Sequence, residues 1–553
     1  RGLEMCIRDS FESVGHGYET TDYKKLDSRL GTNEDLTAFV AYCHEQGIKV
    51  IFDGVFNHTG RDFFAFKDIQ ANRENSQYKD WYCNVNFWGN NEYNDGFSYD
   101  NWGGYNILVK LNQKNPAVVD YICDVIRFWV SEFDVDGIRL DAADVLDFDF
   151  MKALRRTANE VKPDFWLMGE VIHGDYSRWV NGETLHSVTN YTLHKALYSG
   201  HNDHNYFEIA HTVRRLQNMG TLKLYNFVDN HDVERIYTKL TNKAHFAPVH
   251  VLLYTLPGVP SIYYGSEFGI EGRKEYGSDD SLRPALNIED YKDSVKTNPC
   301  TALIAALGKV RQAVPALSYG SYDELMLTNR QFAYARDLDG TRVIVSVNND
   351  DAPAGMHLAA GNCTAYIGAL SGEKVSVQDG HINITQPANS GEIWVPEGTD
   401  LDVKPVKVVT KTESEAKTNT EDKAASETAT DAKGNQESEP KIESKESKDI
   451  VTATESADAK KNTTNTEKNI SAANEVKDSA KDASAQAAAD TPVDPETITV
   501  DWSKSPESMT VPELQAAILA KLAGNGPVDA QMKKTVTDNI WHDSLVNWLK
   551  SFR

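Results

Sequence analysis

The sequence predicts an α/β fold built around a parallel sheet, and two patterns between residues 32 and 314 indicate it. Stretches with helical spacing of apolar residues alternate with short β-branched or aromatic runs, which is typical of βα units. Three of the short runs end beside an acidic residue, namely Asp141, Glu170 and Asp229. Because the carboxyl ends of parallel strands lie on one face of a barrel, we expect these three carboxylates to converge there.

The short apolar runs predict six strands, at residues 50–55, 137–140, 165–168, 187–189, 224–228 and 261–264. Apolar residues at helical spacing predict helices at residues 34–46, 116–132, 148–161, 207–219, 247–256 and about 302–314. An insertion at about 59–111 separates the first strand from the second. It is much too long for an ordinary βα loop, so we expect it to have a function.

The composition changes twice after the predicted barrel at 11–316. Alternating runs with turns rich in Asn, Asp and Gly predict a β-sandwich at 317–398. Residues 399–497 contain no Phe, Trp or Tyr and are predicted to form a disordered linker, which is more often a flexible tether than a partner site. A helical tail is predicted at 498–553, where Val511, Leu514, Ile518 and Leu522 form an apolar stripe.

Composition also excludes several classes of function. The net charge of -25 argues against a nucleic-acid or anionic-membrane partner, because both favour a basic face. The sequence has no run of about eighteen apolar residues, so we expect no membrane span. Six cysteines without a CxxC pair predict reduced thiols rather than a disulfide framework or zinc site. Residues 1–10 lack a signal-peptide pattern and resemble sequencing-adapter read-through, which predicts a non-native start.

The acidic residues that follow the strands predict chemistry when taken together. A single Asp at a strand end is more often a helix cap or turn residue than a catalyst. Three such acids, accompanied by Asp53 and His58 after an earlier strand, reverse that preference. Two carboxylates that flank a sugar oxygen make a glycosidase, in which one protonates the leaving group and the other attacks the anomeric carbon or positions water. Further anions can stabilise the charge that develops on the sugar.

Four segments resemble, in order, the sequence regions of the alpha-amylase family of glycoside hydrolases: DGVFNH at 53–58, GIRLD at 137–141, GEV at 169–171 and FVDNHD at 227–232. A fifth, GVPSIYYGSE at 258–267, resembles the last barrel strand of that family. The resemblance covers roughly residues 11–396. It implies a (β/α)8 TIM barrel whose first two strands are missing from this chain, and such a truncated barrel would expose sheet edges.

Further segments resemble the neopullulanase and cyclomaltodextrinase branch of the family. The sequence LVKLN at 108–112 is similar to MPKLN of that branch, and His173 and SVTNY at 187–191 also fit it. Because the branch often carries an N-terminal β domain that supports dimers, the resemblance leaves a homodimer open. The branch and the reduced cysteines together favour a cytoplasmic location.

The resemblance assigns a role to each acid. Asp141 is the expected nucleophile, Glu170 the general acid/base, and Asp229 the acid that binds the sugar and stabilises the transition state. The expected outcome is retention of the α configuration. Arg139 is expected to hydrogen-bond Asp141 and keep it ionised, because a nearby guanidinium lowers a carboxylate pKa. Glu170 is expected to begin the reaction protonated.

The resemblance also implies substrate-binding residues, namely Tyr18, His58, Arg139, His231, Asp280 and Arg283. Tyr18 resembles the aromatic residue that stacks on the sugar at the cleavage position, where both histidines are expected to donate hydrogen bonds; a core or capping role is the alternative for either histidine. Asp279 competes with Asp280 for the pairing with Arg283. Asp53 is expected to be a structural hydrogen-bonding residue.

Aromatic side chains are concentrated in the insertion, and we expect most of them to form a small core. The remainder suit a groove, since flat rings stack on the apolar faces of glucose units. These residues are Trp81, Tyr82, Phe87, Trp88, Tyr93, Phe97, Tyr99, Trp102 and Tyr105.

No cofactor or metal is predicted. Many family members bind calcium through an Asn before the motif histidine and a His four residues beyond the nucleophile. Asn57 is present, but Val145 occupies the second place and follows Asp144, so the expected ligand set is incomplete.

The sequence therefore predicts a hydrolase that cleaves mainly α-1,4 bonds of maltooligosaccharides, cyclodextrins or related α-glucans. A 4-α-glucanotransferase is the alternative enzyme, because a sugar hydroxyl can replace water in the second step. A non-catalytic sugar-binding relative is the alternative outside enzymes, and retention of all three acids argues against it.

Overall fold

The computed structural model describes residues 3–4, 11–15, 17–275, 278–403, 500, 502, 504–506, 509–523, 536 and 549. They fall into two units, Arg1–Lys441 and Ile442–Arg553. Nearly all of the predicted linker at 399–497 lies outside the described residues. Within the predicted non-native start, Leu3–Glu4 forms a strand, and the origin of residues 1–10 stays a prediction.

Strands and helices alternate over most of the first unit. The strands are β1 Leu3–Glu4, β2 Phe11–Ser13, β3 Thr20–Leu26, β4 Ile51–Gly54, β5 His58–Gly60, β6 Asn101–Trp102, β7 Tyr105–Lys110, β8 Gly137–Leu140, β9 Trp166–Gly169, β10 Ser187–Val188, β11 Tyr225–Asn226, β12 Val259–Pro260, β13 Ile262–Tyr263, β14 Ser321–Leu327, β15 Gln331–Leu338, β16 Thr341–Asn348, β17 Ala354–Ala359, β18 Ala365–Gly368, β19 Lys374–Ser376, β20 His381–Gln386 and β21 Ser390–Pro396. The helices are α1 Asn33–Glu45, α2 Phe64–Asn72, α3 Pro116–Phe133, α4 Phe148–Val161, α5 Tyr191–Asn202, α6 Tyr206–Asn218, α7 Ile236–Lys239, α8 Phe246–Thr255, α9 Ser294–Thr297, α10 Pro299–Ala313 and α11 Ala316–Tyr319, with α12 Val511–Ala523 in the second unit.

Parallel strands form the wall of the barrel in the first unit. Strands β4, β8, β9 and β10 are hydrogen-bonded side by side, with Gly54 opposite Leu140 and Leu140 opposite Gly169. A parallel bridge from Thr189 to Tyr225 continues the wall to β11, which pairs with β12, while β13 pairs with β1. All six predicted strands are present, each within a few residues of its expected limits, and the last, predicted at 261–264, corresponds to β13.

Helix α5 was not among the predicted helices. Its N-cap is Asn190, whose side chain accepts a hydrogen bond from the backbone N–H of Leu193. Polar residues, including His194, Ser199 and His201, occupy buried positions on this helix. The apolar periodicity that identifies a helix in sequence is therefore weak here.

Close packing at the strand ends requires glycine at two positions in the barrel. A Cβ on Gly54 would lie 2.7 Å from Ile138 Cγ2, and a Cβ on Gly169 would lie 2.5 Å from Leu185 Cδ1. Both distances are shorter than van der Waals contact, so a larger residue would push neighbouring side chains apart. These two glycines allow the carboxyl ends of the strands to approach each other where the acids follow.

The insertion forms a small domain with a three-stranded antiparallel sheet, in the order β5, β7, β6. Strand β5 carries His58, which pairs with Lys110 of β7, so the domain is joined directly to a predicted site residue. Of the nine predicted aromatic residues, Tyr82, Phe97 and Tyr99 are buried, and Trp81, Phe87 and Trp102 are half-buried. The other three are exposed, namely Trp88, Tyr93 and Tyr105.

The β-sandwich follows the barrel, as the alternating pattern predicts. A six-stranded antiparallel sheet in the order β14, β15, β16, β21, β18, β19 packs on the pair β17 and β20. Successive residues of β15 serve different cores, because Ala333 faces the sandwich interior whereas Phe332 and Tyr334 join the core that contains Val249 and Leu252 of α8. The sandwich is thus packed firmly against the barrel helices.

The described part of the second unit contains α12 and an apolar cluster. Leu514 and Ile518 of the predicted stripe are buried there with Met509, Val536 and Leu549. The predicted break at 524–527 lies outside the described residues. Within the described residues of the whole chain, no helix combines the length and apolar character needed to cross a bilayer.

Candidate active site

The guanidinium of Arg139 joins three carboxyl groups at the mouth of the barrel. Its Nη1 lies 2.9 Å from both oxygens of Asp53 and 3.0 Å from Asp141 Oδ1, and its Nη2 lies 2.8 Å from Glu170 Oε2. These residues belong to or directly follow the neighbouring strands β4, β8 and β9. The structure therefore brings together two of the three predicted catalytic acids, with Asp53 as the structural partner that the sequence predicts.

Burial dominates the electrostatics of this cluster. It raises the pKa of the Asp141 carboxyl well above its ordinary value, and the charges of Glu170 and Asp53 raise it further, while Arg139 lowers it. The expected hydrogen bond from Arg139 is present, and the guanidinium lowers the Asp141 pKa as expected, but burial outweighs it, so the pKa is raised overall. The same guanidinium is also shared among three carboxyls. Such a cluster favours retention of a proton, which a general acid requires.

Glu170 is held by a second set of contacts on its other side. The Tyr191 hydroxyl donates to Glu170 Oε1 at 3.2 Å and accepts from Asn230 Nδ2 at 3.1 Å. The backbone N–H of Ala142 donates to Oε2 at 3.4 Å. No role is predicted for Tyr191 from the sequence, although its position three residues after β10, at the start of α5, places it at the same mouth as the acids, and that was the available signal.

Tyr18, His231 and His58 surround the Asp53 side of the cluster. The Tyr18 hydroxyl donates to Asp53 Oδ2 at 3.2 Å and lies 2.8 Å from His231 Nε2. His58 Nε2 lies 3.1 Å from the Tyr18 carbonyl oxygen and donates to it. His58 is also 3.2 Å from the side chain of Asn57, so both of its ring nitrogens contact protein atoms. The structure thus gives His58 a part in holding Tyr18.

Burial keeps both histidines neutral near pH 7. It lowers the pKa of His58 to about 4, and it lowers the pKa of His231 to about 3 with a further contribution from the nearby Arg139 charge. A neutral imidazole both donates and accepts hydrogen bonds. Burial and the Asp53 charge raise the pKa of the Tyr18 hydroxyl, which therefore keeps its proton.

Asp229 lies three residues beyond β11 and is almost fully buried. Its Oδ2 accepts hydrogen bonds from Ser266 Oγ and from the backbone N–H of Ile236, both at 2.7 Å. Ser266 had no role in the sequence prediction, although it lies within the fifth family-like segment. Two donors on one oxygen fix the orientation of this carboxylate.

Arg283 forms an ion pair with Asp279, the residue that competes with Asp280 for this pairing. Its Nη2 lies 3.4 Å from Asp279 Oδ2 and 3.4 Å from Asp232 Oδ1. Asp280 is exposed, so the competing residue Asp279 supplies the described ion pair four residues before the arginine. Arg283 Nε also donates to the carbonyl of His231 at 3.4 Å, which attaches this pair to the site.

Asn57, the residue that resembles a calcium ligand of the family, contacts Gln113. Gln113 Nε2 donates to Asn57 Oδ1 at 3.4 Å, so an amide donor faces the oxygen that would bind the ion. Gln113 Oε1 accepts from the backbone N–H of Asp147 at 2.6 Å. Among the described residues, no three His, Cys, Asp or Glu side chains are grouped to hold a metal.

The family is established by comparison with known proteins. Residues 8–308 match the family described as alpha amylase, catalytic domain, which is more than half of the 553-residue chain. The chain therefore belongs to the alpha-amylase family, and its barrel with a C-terminal sheet domain is the fold of that family.

Similar proteins include a cyclomaltodextrinase and a neopullulanase. A cyclomaltodextrinase of Thermoanaerobacter pseudethanolicus is 34% identical over 346 residues, which are 60% of this chain and 58% of that protein. Neopullulanase 2 of Thermoactinomyces vulgaris is 29% identical over 395 residues, which are 68% of this chain and 65% of that protein. The chain thus spans less than two thirds of the length of either relative.

Solved structures of similar fold include a cyclomaltodextrinase and a debranching enzyme. A cyclomaltodextrinase structure has a TM-score of 0.64 and 27% identity, and covers 70% of this chain and 67% of that chain. A debranching enzyme of Nostoc punctiforme, soaked with acarbose, has a TM-score of 0.62 and 27% identity over 70% of this chain and 84% of that chain.

Proposed function

We propose that this protein is a retaining glycoside hydrolase that cleaves mainly α-1,4 bonds of maltooligosaccharides, cyclodextrins or related α-glucans. The observation that carries the proposal is the sharing of one guanidinium, that of Arg139, between Asp141 and Glu170 at the ends of adjacent barrel strands. Two nitrogens of a single guanidinium hold the carboxyls a short distance apart. A separation of ~5 Å is characteristic of the retaining mechanism.

The chemistry follows from these positions. An Asp141 oxygen bonds to the anomeric carbon while the glycosidic C–O bond breaks and the Glu170 proton passes to the leaving oxygen. Water then attacks the same carbon, returns a proton to Glu170 and releases Asp141. Asp229 stabilises the positive charge that develops on the sugar. Arg139 keeps Asp141 and Glu170 in position during both steps.

Neutral histidines and a protonated tyrosine suit an uncharged sugar. His231 and Tyr18 present hydrogen-bonding atoms next to Asp53 without adding charge. The Tyr18 and His231 rings are nearly parallel, with centroids 5.9 Å apart, and a tyrosine face can stack on a glucose ring. The names of the two relatives, cyclomaltodextrinase and neopullulanase, support the same substrate class.

The test is release of reducing ends from maltotriose, γ-cyclodextrin and pullulan, with Asp141→Asn for comparison. We expect the wild type to act on at least one of these glucans and the substitution to lower kcat by about 10⁴-fold, because the nucleophile is lost. Equal activity of both proteins would reject the assignment of Asp141. Chromatography of the products separates hydrolysis from the alternative transferase, since transfer gives chains longer than the substrate.

A cytoplasmic location and a homodimer are further parts of the proposal. The five described cysteines are free thiols, which suits a reducing compartment. The resemblance to a branch that forms dimers supports the homodimer. Light scattering of the purified protein and fractionation of the native host test the two statements separately.

A further inference from the structure

Arg235 is a fully buried arginine that the mechanism above does not use. Its Nη1 donates to the carbonyl of Tyr264 at 2.5 Å and to Ser266 Oγ at 3.2 Å, and its Nη2 donates to the carbonyl of Leu282 at 2.7 Å. The guanidinium carbon also lies 4.2 Å from the ring centroid of Tyr263. These contacts hold a buried positive group at a fixed place beside β13.

Ser266 connects this arginine to Asp229. Because Ser266 Oγ accepts a hydrogen bond from Arg235 Nη1, its own proton is directed to Asp229 Oδ2, which is 2.7 Å away. The backbone N–H of Ile236, the residue after Arg235, donates to the same oxygen at 2.7 Å. Hydrogen bonds to a carboxylate favour its ionised form and are stronger than those between neutral groups.

The neighbouring carboxyl of Glu267 is a second acid that could balance the charge of Arg235. Burial raises the pKa of Glu267, and the charge of Asp229 raises it further, although Arg235 lowers it. Glu267 therefore holds a proton more readily than an ordinary carboxyl does. The arginine, the serine and Asp229 form a continuous hydrogen-bonded series from a buried cation to a buried anion.

We propose that Ser266, directed by Arg235, is a positioning residue that keeps Asp229 ionised and correctly oriented toward the sugar during bond cleavage. The inference rests on the proposed function, in which Asp229 stabilises the transition state. Ser266 acts through Asp229 and does not itself contact the reacting atoms.

Ser266→Ala tests this inference in the full chain. We expect kcat on the best of the three glucans to fall about 10- to 100-fold, which is the loss expected for one hydrogen bond to a charged group. KM should change by less than about threefold, because the lost stabilisation acts in the transition state. The acid limb of the pH profile should move to higher pH, because the carboxylate loses a donor that favours its ionised form.

Two controls separate positioning from structural damage. Ser187→Ala removes a buried hydroxyl on β10 that has no hydrogen-bond partner among the described residues, and it should leave kcat and the pH profile unchanged. Ser266→Thr and Ser266→Val have nearly the same shape but differ in the hydroxyl. We expect the Thr variant to keep at least about tenfold more kcat than the Val variant.

The inference is overturned if Ser266→Ala retains the kcat and pH profile of the wild type, or if the Thr and Val variants lose activity equally. If Ser266→Ala does not fold, the comparison of Thr with Val decides. These failures differ from failure of the proposed function, in which the wild type itself would release no reducing ends from any of the three glucans.

Discussion

At the level of single residues, the main feature of the site is that three carboxyl groups share the positive charge of one arginine. Arg139 neutralises one negative charge but contacts Asp53, Asp141 and Glu170, so the buried cluster cannot favour three ionised carboxylates. Burial raises the pKa of Asp141, and the charges of Glu170 and Asp53 raise it further, despite the hydrogen bond from the guanidinium. Glu170 also accepts a hydrogen bond from Tyr191, which holds the carboxyl from the side away from Arg139.

Tyr191→Phe should reduce activity modestly. The lost hydroxyl donates to Glu170 Oε1 and helps to hold this carboxyl in place. Without it we expect kcat to fall about three- to tenfold, the value of one net hydrogen bond. A glucan assay measures the loss, and a variant with the wild-type kcat would show that Tyr191 does not influence Glu170.

At the level of secondary-structure elements, the strand ends position the acids through close packing. Gly169 ends β9 immediately before Glu170, and Leu185 and Ala143 lie against the space where a side chain would project. The end of β9 therefore fixes the backbone position of Glu170, and the loop that follows determines only the direction of its side chain. A small residue at this position is a requirement of the barrel interior and also of the site.

Gly169→Ala should lower both stability and turnover. The new Cβ would lie 2.5 Å from Leu185 Cδ1 and 2.7 Å from the Cβ of Ala143, and such overpacking costs about 1–3 kcal/mol. Movement of the adjacent Glu170 should reduce kcat as well. Urea unfolding and glucan assays measure the two effects. Gly355→Ala is the matched control, because no heavy atom lies within 4 Å of a Cβ there, and its stability should stay close to that of the wild type.

At the level of the whole first unit, buried polar groups join the barrel to the β-sandwich. Arg336 of β15 is buried, and its guanidinium donates to the carbonyls of Thr255 at the end of α8, Leu317, Gly320 and Ser321. These hydrogen bonds accompany the apolar packing of β15 and β16 on α8. We therefore expect barrel and sandwich to unfold together.

Arg336→Met should lower the free energy of unfolding by about 3 kcal/mol, because several buried carbonyls would lose their donor at once. Calorimetry should show one transition for the first unit in the wild type and a lower Tm in the variant. Arg330→Met is the control, since that arginine is only half-buried and its pair with Asp350 is a partly exposed ion pair worth less than about 1 kcal/mol. Equal losses in the two variants would contradict the role given to Arg336.

Acid should destabilise the molecule through its buried histidines, and His250 of α8 provides the test. Burial lowers its pKa from 6.5 to about 4, so between these values the unfolded chain binds a proton that the folded chain does not. Stability is therefore lost as the pH falls below 6.5. Between pH 7.5 and pH 5, His250→Phe should lose about 2 kcal/mol less than the wild type in urea unfolding. Identical pH dependence would contradict the burial argument.

Local patterns in the sequence determined the order of strands and helices, the inserted domain, the β-sandwich and the identity of the acids, because each depends on residues close together in the chain. The α5 helix escaped prediction because its buried face is partly polar. Only the tertiary structure showed that one guanidinium serves three carboxyls, that Asp279 forms an ion pair with Arg283, and that Tyr191 and Ser266 hold two of the acids. The contacts of Tyr191 and Ser266 and the pairing of Arg139 with Asp53 join residues far apart in sequence. Burial, which outweighs the effect of Arg139 on the Asp141 pKa, exists only once the chain has closed around these residues.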